Sequence, residues 1–274
     1  MAKRDPALKL RVISALVLAP LAMGLVALGG WAFALLMALM LVLLAVEWRA
    51  LTEARSMRHE ARLAAGIALT FGLLALLMAA LGQPGAALVV LLVGAPLAAG
   101  LAARCSLPPL WTGLGVLYLG LPLVALIWLR SIADIGLLLL IWLLIVVWTT
   151  DTAAYFAGRH LGGPRLAPRI SPSKTWSGLC GGVLGAGLIG MLAAAMAGFE
   201  RPLQAGWVGA VLAMVAQAGD LAESALKRRA GVKDSGSMIP GHGGLLDRVD
   251  GLLFAAPALA AVVLLLEARA CPWP

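Results

Sequence analysis

Charge is scarce in this chain of 274 residues. Asp, Glu, Lys and Arg make up 12% of it, against roughly 25% in soluble domains. With 62% hydrophobic residues and a mean hydropathy of +0.98, that shortage excludes a soluble globular domain. Cysteine is also sparse: Cys105, Cys180 and Cys271 form no CxxC pair and are odd in number. Neither a disulfide framework nor a zinc site can be built from them, and they read as small apolar fillers. No GxxxxGK[ST] follows a strand pattern, which excludes an ordinary P-loop nucleotide site. The formal charge is +8, yet no basic patch interleaved with aromatics is present, so nucleic acid is not expected as a partner. There is no internal repeat, no low-complexity linker and no apolar alternation of period two. Backbone donors in lipid must be satisfied within their own segment, so without a barrel pattern the apolar runs are read as helices.

Apolar runs long enough to span a bilayer fall at roughly 11–28, 31–46, 64–81, 86–103, 111–129, 136–154, 179–198, 206–226 and 251–267; about 17 to 25 residues are needed per helix. The start has the basic-then-apolar order of a secretory signal. The run from Val12 to Leu28 is longer than a usual signal core, and it reads as a retained first span. With the N-terminus inside, nine spans put 18 of the 21 Lys and Arg residues on the inner side and leave Arg130, Arg201 and Arg269 outside. Such an asymmetry follows the positive-inside rule, and removing one span would put later basic clusters on the wrong side. The expected fold is therefore an all-α integral membrane protein of about nine transmembrane helices, N-terminus cytoplasmic and C-terminus on the outer side. Residues 1–110 form the N-terminal helices, and 111–274 the C-terminal helices with the chemistry-bearing cytoplasmic loops; one continuous domain is the alternative. The stretch from Glu47 to Arg62 mixes acids and arginines and is expected to be a solvated connector facing headgroups.

Two polar segments stand out. The first, Asp151 to Gly182, combines Arg159, Arg165, Arg169 and Lys174 with Ser171, Ser173, Thr175 and Ser177 and several glycines. Cations, hydroxyls and exposed amides hold phosphate oxygens; a positive-inside anchor whose glycines turn the chain is the plainer reading.

The second, Asp220 to Gly251, holds Asp220, Glu223, Asp234, Asp247 and Asp250 among Lys227, Arg228, Arg229, Lys233, Arg248 and His242. Such density beside apolar spans points to a site. Asp220, Glu223, Ser224 and Lys227 stand at i, i+3, i+4 and i+7, one face of a helix. Asp247 and Asp250 repeat the i, i+3 spacing where the ninth span begins and the helix dipole favours negative charge. Between them Pro240 to Gly244, PGHGG, lets backbone approach a ligand. Carboxylates from two helices among cations suit a divalent ion holding phosphates. Oxygen ligands select Mg²⁺ or Mn²⁺ over zinc. Interfacial ion pairs capping two helices are the alternative. His242 is open to a general-acid, ligand or turn-shaping role.

These residues resemble the phosphatidate cytidylyltransferases, or CDP-diacylglycerol synthases. That signature appears here as Ser224, Lys227-Arg228, Lys233-Asp234, His242-Gly243-Gly244, Asp247-Arg248 and Asp250. The preceding Gly219-Asp220-Leu221 and the upstream DTAAYFAGR and ISPSKTW stretches are also similar to the family. The resemblance covers about the C-terminal half; the N-terminal spans agree in hydropathy alone. Two positions depart from the pattern: Ser173 stands where a second Lys is common, and Ser177 where Glu or Gln is.

The resemblance implies transfer of a cytidylyl group from CTP to phosphatidate, with Mg²⁺ or Mn²⁺, at a bacterial inner membrane with the site facing the cytoplasm. Partners are then CTP, phosphatidate and membrane lipid, with a homodimer left open. Asp220 and Asp247 would bind metal, with Asp250 and Glu223 assisting. Lys227 and Arg228 would join Asp220 and Asp247 in the catalytic set. Ser171, Lys174, Thr175, Ser224, Lys233, His242, Gly243, Gly244 and Arg248 would hold substrate phosphates. Two rivals are a CDP-alcohol phosphotransferase, whose DG-x2-AR-x8-G-x3-D-x3-D pattern is absent, and a cation-coupled transporter. Transporter sites lie near the bilayer midplane, whereas these acids cluster at one face.

Overall fold

A computed structural model describes residues 6–52, 60–105, 107–238 and 243–268. Among the described residues the chain forms nine α-helices: α1 (Pro6–Leu28), α2 (Gly30–Thr52), α3 (Glu60–Ala80), α4 (Pro84–Arg104), α5 (Pro109–Ser131), α6 (Gly136–Leu161), α7 (Trp176–Met196), α8 (Pro202–Arg229) and α9 (Leu246–Ala268). Seven of them, α2 and α4 to α9, are long and apolar enough to cross a membrane. Their outward surfaces stay apolar, with Leu92 and Leu184 at 65% and 73% exposure, as expected where lipid rather than water is the neighbour. This is a membrane-embedded helical protein. Pro20, Pro96, Pro122 and Pro257 lie inside helices, which membrane helices tolerate better than soluble ones.

One element lies outside the helical expectation. Between α6 and α7, β1 (Arg165–Ala167) and β2 (Ser171–Thr175) pair antiparallel, with Arg165 opposite Thr175 and Ala167 opposite Ser171. The strands are three and five residues long, too short for an alternating signal to rise above the prolines and serines around them. Two boundaries also move. α6 runs to Leu161 and α7 starts at Trp176, so the polar segment expected to open at Asp151 is helical over its first third. α2 runs through Glu47 and Arg49 to Thr52. Glu47, expected in a solvated connector, is instead 2% exposed inside this helix; residues 53–59 of that stretch lie outside the described residues.

The chain divides into two compact units. The first comprises residues 1–131 and 229–249, the second 132–228 and 250–274. In the first unit, α2 to α5 pack around buried Leu44, Leu91, Leu123 and Leu129. Trp48 stacks on Tyr118 at 4.7 Å between centroids and donates its indole N–H to the Trp111 carbonyl at 3.0 Å. A Cβ on Gly115 would lie 2.6 Å from the Trp48 ring nitrogen, so a side chain there is excluded. Arg130 donates to the Val26 and Ala27 carbonyls, both at 2.8 Å, satisfying orphan acceptors at the end of α1.

In the second unit, α6 and α7 approach closely through small residues. A Cβ on Gly182 would meet the Thr150 carbonyl at 3.0 Å, and one on Gly209 of α8 would meet the Ala186 carbonyl at the same distance. Without a hydrophobic drive between helices in lipid, such backbone proximity and dispersion hold the bundle. The buried Trp142 donates its indole N–H to the Gly190 carbonyl at 2.7 Å, pinning α6 to α7. α9 lies against α8 where a Cβ on Gly219 would fall 2.8 Å from the Asp250 carbonyl.

Candidate active site

The polar groups of the second unit are assembled from α6, the hairpin, the start of α7, α8 and α9. α6 ends at Gly162 and Gly163, which have φ of 63° and 100°. Glycine alone adopts these values at little cost, and the reversal feeds the hairpin. β2 then delivers Lys174 and Thr175. Thr175 is the N-cap of α7, its hydroxyl accepting from the Gly178 amide at 3.0 Å. Ser177 bonds the same hydroxyl at 3.0 Å and donates to the Gly162 carbonyl, joining the start of α7 to the end of α6.

Lys174 reaches α8. Its ammonium lies 2.6 Å from an Asp220 oxygen and 3.0 Å from the Gln217 side-chain oxygen. Along α8, Ser224 donates to the other Asp220 oxygen at 3.3 Å, and Lys227 pairs with Glu223 at 2.7 Å. The i, i+3, i+4, i+7 face thus carries two polar pairs side by side. Asp250 comes from α9. One carboxylate oxygen from each of Asp220, Glu223 and Asp250 falls within 4.8 Å of the others. Arg228 donates its Nε to the Ile170 carbonyl at 3.2 Å, bracing the hairpin turn against α8.

These groups adjoin an open cleft of about 710 Å³ whose lining includes Asp151, Tyr155, Arg159, Arg165, Lys174 and Asp220. That is within the range of small-molecule sites, roughly 300 to 1,000 Å³. Three carboxylates face two ammonium groups in the cluster. The ligands offered are all hard oxygens, the set that suits Mg²⁺ or Mn²⁺ and not a soft metal.

The first unit holds the other half of the sequence pattern. Lys233 is exposed after the end of α8. Asp247 sits in the first turn of α9, where one of its oxygens accepts from the Ser235 amide at 2.9 Å, the Ser235 hydroxyl at 3.0 Å and the Gly244 amide at 3.1 Å. Gly243 has φ of 83° and forms part of this turn, and Arg248 is exposed one residue further on. His242 lies outside the described residues.

Of the four carboxylates expected at a metal, the structure gathers Asp220, Glu223 and Asp250; Asp247 belongs to the first unit, where it fastens the turn. Of the expected phosphate ligands, Lys174, Thr175 and Ser224 are in the second unit, as is Lys227 of the expected catalytic set. Ser171 begins β2, half-buried. Three residues escaped the sequence reading. Gln217 and Asp151 are a partner of Lys174 and a wall of the cleft. Glu47 is buried in the first unit. For the two acids a signal was present, since each ends an apolar run within what proves to be helix. Gln217 carries no such mark.

A polytopic membrane protein with acids and lysines paired beside a cleft of small-molecule size is a candidate for anion-transferring chemistry. The chain matches the model of the cytidylyltransferase family over residues 9–266, and it belongs to that family. It is 40% identical over 256 residues to phosphatidate cytidylyltransferase of Brucella suis biovar 1 (strain 1330), a match covering 92% of each chain. The protein of the same name in Bacillus subtilis (strain 168) is 40% identical over 147 residues, 53% of this chain and 55% of its own. That of Haemophilus influenzae (strain ATCC 51907 / DSM 11121 / KW20 / Rd) is 42% identical over 127 residues, 44% of each.

Proposed function

We propose that this chain transfers the cytidylyl group of CTP to phosphatidate, giving CDP-diacylglycerol and pyrophosphate, at the cytoplasmic face of a bacterial inner membrane. The observation that carries the reading is the Asp220, Glu223 and Asp250 cluster with its two lysines, in a chain of the cytidylyltransferase family. In this reading an oxygen of the phosphatidate phosphate attacks the α-phosphorus of CTP, and the bond from that phosphorus to the β-phosphate oxygen breaks. The second pKa of a phosphate monoester is about 6, so the nucleophile is already largely ionised near neutrality and no strong general base is required. The barrier is the approach of one anion to another.

Asp220 and Asp250 are the proposed ligands of Mg²⁺ or Mn²⁺, with Glu223 assisting; Asp247, in the first unit, keeps the metal-binding role that the family resemblance implies for it. Such an ion, when bound, neutralises phosphate charge and favours an in-line geometry. Lys174 and Lys227 are held by acids; incoming phosphate oxygens compete with those carboxylates for the ammonium groups. Ser224 adds a hydroxyl to the same row, Thr175 and Arg228 lie in the same unit, and Lys233 and Arg248 of the first unit keep the phosphate-binding role that the family resemblance implies for them. Proximity and alignment alone can supply a large part of such a barrier, about 7 to 11 kcal/mol in favourable cases. Nine spans with the N-terminus inside would place both polar segments in the cytoplasm, where CTP is available; the distribution of Lys and Arg supports this.

The test is the purified protein with CTP and phosphatidate, with and without Mg²⁺. Equimolar CDP-diacylglycerol and pyrophosphate are expected, and both should disappear on chelation. Proteoliposome uptake of a solute without CTP, with no lipid product, would replace this reading by the transporter.

A further inference from the structure

Glu47 is a buried acid that the transfer reaction leaves unused. It sits in α2, 2% exposed, and both its oxygens are engaged by the start of α9. Oε1 accepts from the Leu245 amide at 2.8 Å and Oε2 from the Leu246 amide at 2.7 Å. The Ser235 hydroxyl lies 3.3 Å from Oε2 and 3.0 Å from the Asp247 carboxylate. Its single proton serves one acid at a time, so it links the two. The first amides of a helix have no partner within the helix, and a negative charge there is favoured by the helix dipole. Two glycines make room for the arrangement. A Cβ on Gly236 would lie 2.8 Å from Glu47, and one on Gly244 would collide with Ser235.

We infer that Glu47 is a positioning residue: it fixes the first turn of α9 from a helix far away in the chain, and through Ser235 it sets the orientation of Asp247. An ordinary structural acid would be expected to cap its own helix. This one spends its whole carboxylate on a segment separated from it by 198 residues at Leu245, and that segment carries Asp247 and Arg248. The inference that turnover depends on this clasp rests on the proposed role of Asp247.

The full-length protein in detergent micelles, as Glu47→Gln, Glu47→Asp and Ser235→Ala, provides the test. In a glutamine one of the two oxygens is replaced by an NH₂ group, a donor that would face a backbone N–H, so one of the two amide bonds is lost. In Glu47→Gln, amide hydrogen exchange at 244–247 should accelerate at least about tenfold, a 1.4 kcal/mol change, with the transmembrane helices unchanged. The kcat should fall by a comparable factor while KM for phosphatidate stays within about twofold, and Glu47→Asp, which keeps both oxygens, should recover part of the loss. Ser235→Ala leaves the amide bonds of both Glu47 and Asp247 and removes only the hydroxyl that stands between the two acids; a kcat lowered about threefold is expected. Wild-type exchange rates in Glu47→Gln overturn the clasp. Local acceleration with unchanged kcat overturns the positioning role. If Glu47→Gln does not fold, an unchanged kcat in Ser235→Ala overturns it instead. An inactive wild-type protein would bring down the transferase reading, while the exchange result would still decide whether Glu47 holds α9.

Discussion

The two units use carboxylates in opposite ways. In the first, Glu47 and Asp247 accept chiefly from backbone amides and a serine, donors fixed by the fold. In the second, Asp220 and Glu223 are held by Lys174 and Lys227, ammonium groups on flexible stems that can turn to another anion. A carboxylate with both oxygens taken by fixed amides, as in Glu47, organises backbone. A carboxylate balanced by a mobile cation can exchange that partner for a metal ion or release the cation to a phosphate. Burial does not separate the two uses, since Glu47 at 2% and Glu223 at 0% are both enclosed. The kind of donor does.

The largest expected effect follows from removing an exchangeable acid. Asp220→Asn should lower turnover of CTP and phosphatidate on the order of a hundred- to a thousandfold, as for loss of a main transition-state charge stabiliser, with membrane insertion and the thermal unfolding midpoint little changed. Near-normal incorporation of labelled CTP into lipid would remove Asp220 from the site. Lys174→Met comes next. It deletes a charged partner of Asp220, and kcat/KM should fall roughly ten- to hundredfold, the equivalent of about 1.5 to 3 kcal/mol for a bond to a charged group. A drop in stability with unchanged kinetics would make this lysine a structural brace. The smallest effect concerns the hairpin. Thr175→Ala removes the N-cap of α7 and should cost about 1 kcal/mol of stability, read as a lowered midpoint in detergent. A Thr175→Ser variant, keeping the hydroxyl, should restore it.

Much of the fold was legible. Each of the nine apolar runs coincides with a helix, and seven of these helices are long and apolar enough to cross a membrane; a segment in lipid must close its own hydrogen bonds and so advertises itself by local hydropathy. The face formed by Asp220, Glu223, Ser224 and Lys227 was legible for the same reason, since helical spacing is a property of neighbours in sequence. The hairpin at 165–175 was not, because three- and five-residue strands leave too few positions for periodicity to register. Glu47 misled because charge beside arginines at the end of an apolar run looks like a headgroup connector. Gln217 was silent, being a single amide on a polar stretch of α8 that matters only because Lys174 lies against it.

Helix number, the polar row on α8 and the chemical character of both polar segments are therefore properties of the chain read in order. Which acids meet is not. Asp220 and Asp250 share a cluster because α8 and α9 touch through Gly219, whereas Glu47 finds its partners nearly two hundred residues downstream. Local pattern encodes what each residue prefers. Whether a carboxylate meets an amide or an ammonium group depends on backbone approaches of a few ångströms, and these exist only once the helices have packed.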